Sequence, residues 1–394
     1  MPSPTSVTPM AIPHEGEREL LTGNKSAAYG ALLSEVRCAP FFPITPQTGI
    51  MEAFAEWKSA GVYQGEFHTL ESEHSVLSSA IGSQLTGQRT FTGSSSQGLM
   101  LMFEMLPIAS GLRLPMVVAN VSRGLSAPIT LWCDHNDVLM TRDTGFVTFI
   151  CESNQEILDS VIIAYRVAED ERVLLPAMVN MDGFTHSFTR EPVDIPSVKE
   201  VRSFLPELRQ EVTLDTEHPK TLGIPVMSEY TLFRQQVHRA QRNALTVVDR
   251  AHREFAKLTG RKYSSVESFR MENAECAIVG IGANASIMKA AVEEMRKEGR
   301  AVGMVRLRLI RPFPYDEVAE ALRGTKCVAV VDQNLSPGSG GILYTEVSRA
   351  LRKYRGVVCD YIAGLGGKPV SVSDVRDIAE NAMRSKTDTV KWVM

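Results

Sequence analysis

The chain has 394 residues, 44% hydrophobic and 22% charged, with a net charge of −4 at pH 7. That length suits two domains, and the mildly acidic balance lacks the basic excess of a nucleic-acid-binding surface. No apolar run reaches the roughly 18 residues of a membrane span.

The first residues, MPSPTSVTPMAIPHEGER, are rich in Pro, Ser and Thr and contain no apolar core. They are expected to form a tail, or an arm on a partner subunit, over residues 1–23, and not a signal peptide. The cysteines Cys38, Cys133, Cys151, Cys276, Cys327 and Cys359 are too widely spaced for a CxxC metal or cluster motif. Most sit in apolar stretches, as small hydrophobes do. Reducing cytoplasm is the expected compartment.

From Asn24 the pattern alternates. SAAYGALLSEV suits a helix, and FFPITPQTGIMEAF follows from Phe41. Pro43 and Pro46 bar a helix interior and push their predecessors towards extended geometry. Thr45 and Thr48 therefore sit at a junction that is either a capped helix start or a ligand loop. LESEHS puts Glu71, Glu73 and His74 ahead of an apolar helix. A carboxylate there either complements the helix dipole or, if buried, hydrogen-bonds a cofactor ring.

RTFTG and PMVVANV read as buried strands, and QGLMLMFEMLPIASG reads as a helix between them. TGSSSQG, Thr92–Gly98, is either an N-cap cluster or a turn whose backbone approaches a ligand. Arg123, just past PMVVANV, is placed for a two-point contact with a carboxylate. His135 in WCDHND has no familiar metal-site spacing, so no metal ligand is expected in this chain. FVTFICES, NQEILDSVIIAYRVAED and VLLPAMVNMDG add strand, helix and strand. Residues 24–190 thus read as an α/β layer with a mainly parallel sheet.

Residues 191–273 open with a Pro- and charge-rich stretch and end in a long helix with the look of an exposed one. They are expected to be a connection. Residues 274–394 return to α/β: AECAIVGIG, AVGMVRLRLIRPF, TKCVAVVDQN and GVVCDYIAG are strands, and ASIMKAAVEEMRKEG is a helix. GIGANAS lacks the third glycine of a dinucleotide fingerprint and reads first as a tight strand–helix turn, with an NAD-binding dehydrogenase as the alternative. GxSxG, HExxH and GxxxxGK[ST] are all missing.

Taken together, GNKSAAYG, FFPITPQT, ESEHS, SSSQGLMLMFE, ASGLRLPMVVANVSRGLSAP, DHNDVLMTRDTGF, NQEILD, VLLPAMVNMDGF, IRPFP and SGGILYTEV resemble one family in collinear order. That family is the alpha subunits of the multi-subunit 2-oxoacid:ferredoxin or other acceptor oxidoreductases, and the likeness spans roughly Asn24 to Gly367. The resemblance implies an α/β chain with a thiamine-diphosphate-binding, pyrimidine-type domain and a transketolase C-terminal-like domain. It implies coenzyme A-dependent oxidative decarboxylation of a 2-oxoacid to an acyl-CoA and CO2. Thiamine diphosphate would be shared with a beta subunit, because the GDG…N diphosphate motif is missing here. Mg²⁺ and iron–sulfur clusters would lie on other subunits of the beta, gamma and delta type, with ferredoxin or an NAD-reducing subunit downstream. No membrane or nucleic-acid partner is implied. The alternative within such a complex is a catalytically inactive structural subunit.

Residue by residue, the resemblance puts Glu73 on the aminopyrimidine as the catalytic carboxylate, and Ser96 and Gln97 on the cofactor. Thr45 and Arg123 fall on the substrate. Two departures bear on specificity. Phe42 stands where pyruvate-type chains read Tyr in YPITPQT, and Gly124 where they read Ala in NRALSAP. The resemblance then implies a roomier, more apolar site, towards pyruvate or a bulkier acid such as phenylglyoxylate. A cationic residue before PIT, expected for oxalate, is missing.

Overall fold

Two largely parallel sheets carry the chain, joined by a seam of buried polar contacts. The structure is a computed structural model that describes residues 12–223, 226, 228–387 and 390–394. In the first sheet the spatial order is Leu309–Arg311, Val147–Ile150, Ala177–Asp182, Val117–Ser122 and Phe91–Ser94. All are parallel except Leu309–Arg311. The parallel pair Cys38–Phe41 and Glu66–Thr69 extends it through a bridge between Cys38 and Thr90. Val117–Ser122 and Ala177–Asp182 are buried at every residue, as helices on both faces require.

The helix Asn154–Ala168 lies almost wholly inside. Its start is capped by Ser153, whose side chain accepts from the Glu156 amide. It packs on the helix Gly23–Leu33 at Gly30, where a Cβ would come within 2.7 Å of Leu158 O. An alanine there would force the two helices apart.

The region read as a tail and a connection is more ordered than its composition implies. Residues 1–11 lie outside the described residues, but Arg18–Thr22 pairs antiparallel with Arg190–Asp194 of its own chain. Ser197 and Glu200 then form a capping box for the helix Val198–Phe204. The helix Tyr230–Thr259 exposes much of its surface yet buries a stripe of Val237, Ala240, Ala244, Val247, Val248, Ala251 and Phe255. That spacing covers one face of a helix, and the charged residues between obscured it.

The second sheet runs Lys391–Trp392, Val357–Ile362, Cys327–Asp332, Cys276–Gly280, Val302–Leu307 and Val266–Phe269, with only the last antiparallel. The run AVGMVRLRLIRPF was expected as one strand. It is two: Val302–Leu307 belongs to this sheet, and Leu309–Arg311 crosses to the first. The reason is charge. Arg306 Nη1 lies 2.8 Å from Glu156 and 2.9 Å from Glu152, and Arg308 Nε lies 3.0 Å from Glu156. Both arginines are essentially buried, and a buried charge needs its partner. The chain therefore leaves one sheet for the other at Arg308.

A second contact between the units uses the GIGAN turn. Asp182 Oδ2 accepts from the Ala283 amide at 2.9 Å, and Asp182 Oδ1 lies 2.8 Å from His135 Nε2. Burial lowers the His135 pKa, but the Asp182 charge and hydrogen bond outweigh it and leave it raised; Asp182 is correspondingly lowered. The turn thus spends its amide on the seam between units, as a tight strand–helix turn can. Among the described residues no helix is long and apolar enough to cross a membrane.

Candidate active site

Polar side chains gather at the carboxyl ends of three parallel strands of the first sheet. Register places Ser94 beside Asn120 and Asn120 beside Asn180, with Ser122 beside Asp182 two residues on. A row of polar residues inside otherwise apolar buried strands marks the end of an open α/β sheet where ligands bind.

Asp137, at the start of the helix Asn136–Met140, organises this row. Its carboxylate accepts from the Ser96 amide at 3.0 Å, the Ser122 hydroxyl at 2.8 Å, Asn120 Nδ2 at 3.2 Å and the Arg123 amide at 3.2 Å. Burial pushes the Asp137 carboxyl up, and those donors oppose the shift without cancelling it. Ser96 takes a φ of +50°, rare for a residue with a side chain. Asp137 holds that turn from one side, and the Ser96 hydroxyl holds it from the other by donating to Gly124 O at 2.9 Å.

Arg123 ties the turn to the PIT loop. Its Nη2 donates to Gln97 Oε1 at 2.7 Å and its Nη1 to Thr45 O at 2.6 Å. Burial lowers the Arg123 pKa, while the Asp137 and Glu73 charges oppose the shift. The guanidinium remains charged regardless. Thr45 itself is exposed. It lines a groove of about 520 Å³ with Asn24, Pro46, Thr48, Ser187 and Phe188.

Glu73 opens the helix Glu73–Leu85, whose N-cap is Ser72, and is only 5% exposed. It accepts no hydrogen bond from any described residue. Its Oε1 lies against Gly98, where a Cβ would run into it and into Ser94 Oγ. In the same cluster stand fully buried polar atoms without partners: both amide atoms of Gln47, Ser94 Oγ, Ser95 Oγ, Gln97 Nε2 and Arg123 Nε. An unsatisfied buried polar group costs about 1–3 kcal/mol. So many in one place suit a site completed by a polar ligand.

Two family profiles match the chain. The first, pyruvate flavodoxin/ferredoxin oxidoreductase, thiamine diP-bdg, matches residues 29–253. The second, pyruvate:ferredoxin oxidoreductase core domain II, matches residues 274–375. Pyruvate synthase subunit PorA of Methanothermobacter thermautotrophicus is 42% identical over 373 residues, which are 94% of this chain and 97% of its own length. The chain belongs to the alpha subunits of the 2-oxoacid:ferredoxin oxidoreductases. PorA of Methanocaldococcus jannaschii is 41% identical, with coverage of 96% and 98%. Ketoisovalerate oxidoreductase subunit VorA of Pyrococcus horikoshii is 40% identical, with 92% and 93%.

Among solved structures, a 2-oxoglutarate:ferredoxin oxidoreductase from Magnetococcus marinus, with 2-oxoglutarate, coenzyme A and succinyl-CoA bound, superposes with a TM-score of 0.71. It covers 94% of this chain and 66% of that chain at 18% identity, a likeness of fold. A split gene transketolase, an inactive beta4 tetramer, gives 0.55 at 13% identity, covering 93% of this chain and 99% of that chain.

The structure of this oxidoreductase subunit brings Thr45, Glu73, Ser96, Gln97 and Arg123 into one cluster. It also revises the reading of the two departures. A Cβ at Gly124 would come 2.6 Å from Thr130 Cγ2 and 3.0 Å from Asp134 Oδ2. The space left by the missing methyl is therefore filled by the chain itself and does not widen a site. Phe42 is half-buried against an apolar cluster containing Val76 and Leu77. The extra room expected at Gly124 is taken up by Thr130 and Asp134.

Sequence reasoning missed Asp137 and Gln47. Asn120, an amide inside the strand PMVVANV, was the available signal. A polar residue in a strand buried on both faces needs partners, and Asp137 is one of them.

Proposed function

We propose that this subunit supplies the aminopyrimidine half and the substrate-anion half of a thiamine-diphosphate site that a beta-type subunit completes. The observation that carries this reading is Glu73: a buried carboxylate with no hydrogen-bond donor among the described residues, close to other buried polar atoms that have no partner. The residues fit the cofactor. Glu73 would accept from a ring N–H, Gly98 lets the Glu73 carboxylate and Ser94 Oγ pack close to the backbone there, and Ser94, Ser95, Gln97 and Gln47 offer unpaired polar atoms. When bound, thiamine diphosphate supplies the carbon nucleophile for addition to the 2-oxo group.

Glu73 would hold its charge on the cofactor ring nitrogen and so would bias which tautomer is present. Arg123 neutralises and orients the substrate carboxylate. The Thr45 hydroxyl, on the groove side, donates to the substrate oxygen. Asp137 does not touch substrate; it fixes the Ser96 turn and the Arg123 backbone relative to each other. Over the whole reaction the 2-oxoacid would lose CO2, its acyl group would pass to coenzyme A, and the two electrons released would go to iron–sulfur clusters on gamma- and delta-type subunits and from there to ferredoxin.

The substrate is pyruvate. The relatives named pyruvate synthase support this, and so does Gly124, whose side-chain space is already occupied. The test is a panel of 2-oxoacids on the co-purified complex, with coenzyme A and a viologen dye. Pyruvate is expected to give the fastest dye reduction. Gly124→Ala is expected to lower stability by about 1–3 kcal/mol through overpacking on Thr130 and to leave the pyruvate-to-phenylglyoxylate ratio unchanged. A wild-type preference for phenylglyoxylate, lost in Gly124→Ala, would return this position to the pocket wall.

A further inference from the structure

A second concave site lies away from this cluster. A groove of about 380 Å³ is bordered by Arg142, Arg234, His238, Arg242, Arg311 and Arg349, with Asp143 as its one acidic lining residue. That volume falls in the range of small-molecule sites. Gly145, in its wall, precedes the amino end of the strand Val147–Ile150. The groove therefore opens at the amino edge of the sheet, whereas Ser96 and Arg123 follow the carboxyl ends of their strands. Three chain segments build it: the stretch after Met140, the long helix, and residues 311–349 of the second unit.

The countercharges present are already used. Asp143 lies 3.1 Å and Glu346 2.6 Å from Arg311 Nη2, and Arg142 Nε reaches both at 3.7 and 4.0 Å. Arg234, His238 and Arg242 follow at four-residue spacing, so they share one face of the helix Tyr230–Thr259. None of the three has an ion-pair partner among the described residues, nor does Arg349. Arg349 stacks on Tyr315, with its guanidinium carbon 4.6 Å from the ring centroid, and Phe313 packs beside that ring at 4.8 Å. A groove that joins unpaired arginines to a stacked Arg–Tyr platform, in a chain of net charge −4, is built for a planar polyanion.

We propose that this groove binds the diphosphate and base of an adenine-nucleotide-type ligand. Arg234 and Arg242 take the phosphates, because arginine matches phosphate oxygens with two parallel donors. The outer face of the Arg349 guanidinium takes the base. Free nucleotide and the phosphorylated adenosine end of coenzyme A share this chemistry.

The test is calorimetric titration of the purified complex with ADP, coenzyme A and inorganic phosphate at low salt. ADP is expected to bind in the micromolar range, more tightly than inorganic phosphate. The double variant Arg234→Ala/Arg242→Ala is expected to weaken ADP by about 10-fold or more, with its melting temperature and its assembly into the complex retained. Displacement of ADP by coenzyme A identifies coenzyme A as the source of the nucleotide; persistence of ADP at saturating coenzyme A identifies a free nucleotide. No ADP binding by the wild-type complex, an unchanged Kd in the double variant, or phosphate binding as tightly as ADP overturns the proposal. These readouts do not depend on Glu73 or on 2-oxoacid oxidation, so they separate from the fate of the catalytic reading.

Discussion

Glu73→Gln in the assembled complex is expected to lower pyruvate turnover by about 10²–10⁴-fold, the usual contribution of a positioned acid or base, with subunit assembly intact. The amide has the size of the carboxylate and sits equally well against Gly98, so packing is preserved. The change removes the negative charge and turns one acceptor oxygen into an amide donor. That charge lies in a buried place with no hydrogen-bond donor among the described residues, so little in the fold depends on it. A purely dipole-complementing Glu73 would behave differently. Its loss would cost the helix Glu73–Leu85 a few tenths of a kcal/mol up to about 1 kcal/mol and leave the rate near normal. Steady-state dye reduction beside size-exclusion analysis of the same sample distinguishes the two.

Arg123→Ala is expected to lower kcat/KM for pyruvate by about 10²–10³-fold, comparable to removing one preorganised donor to a developing anion. Two losses combine in it. The substrate carboxylate loses its cation, and the tie between Thr45 O and Gln97 Oε1 is cut, leaving the PIT loop and the Ser–Gln turn without a common anchor. Arg123→Lys separates them. Lysine keeps the charge but cannot span both acceptors, so an intermediate kcat/KM is expected. Unchanged kcat/KM in Arg123→Ala would remove Arg123 from the substrate contact.

The parallel alternation of the first unit was visible in the sequence because Val117–Ser122 and Ala177–Asp182 are continuous apolar runs with few exceptions, and those exceptions mark the site. Pro43 and Pro46 correctly flagged a loop at the strand ends, but the structure uses the Thr45 carbonyl, and not only its hydroxyl, to hold Arg123. Backbone acceptors carry no signature in residue type, so this contact was out of reach. The split of AVGMVRLRLIRPF was hidden for a related reason. Apolar periodicity alone continues through Arg308, and only the long-range carboxylates Glu152 and Glu156 turn the chain from one sheet to the other. The same holds for Gly124. Its missing methyl looks like added space until Thr130 and Asp134 are placed beside it.

The central claim is that this chain holds half of a catalytic site. The most direct measurement is 2-oxoacid-dependent viologen reduction, with thiamine diphosphate, Mg²⁺ and coenzyme A present, by the purified chain alone and by the chain recombined with its co-purifying subunits. No activity alone and full pyruvate oxidation on recombination is the expected result. Pyruvate oxidation by the isolated chain would contradict it, because Glu73 and Arg123 would then need no partner to complete the site.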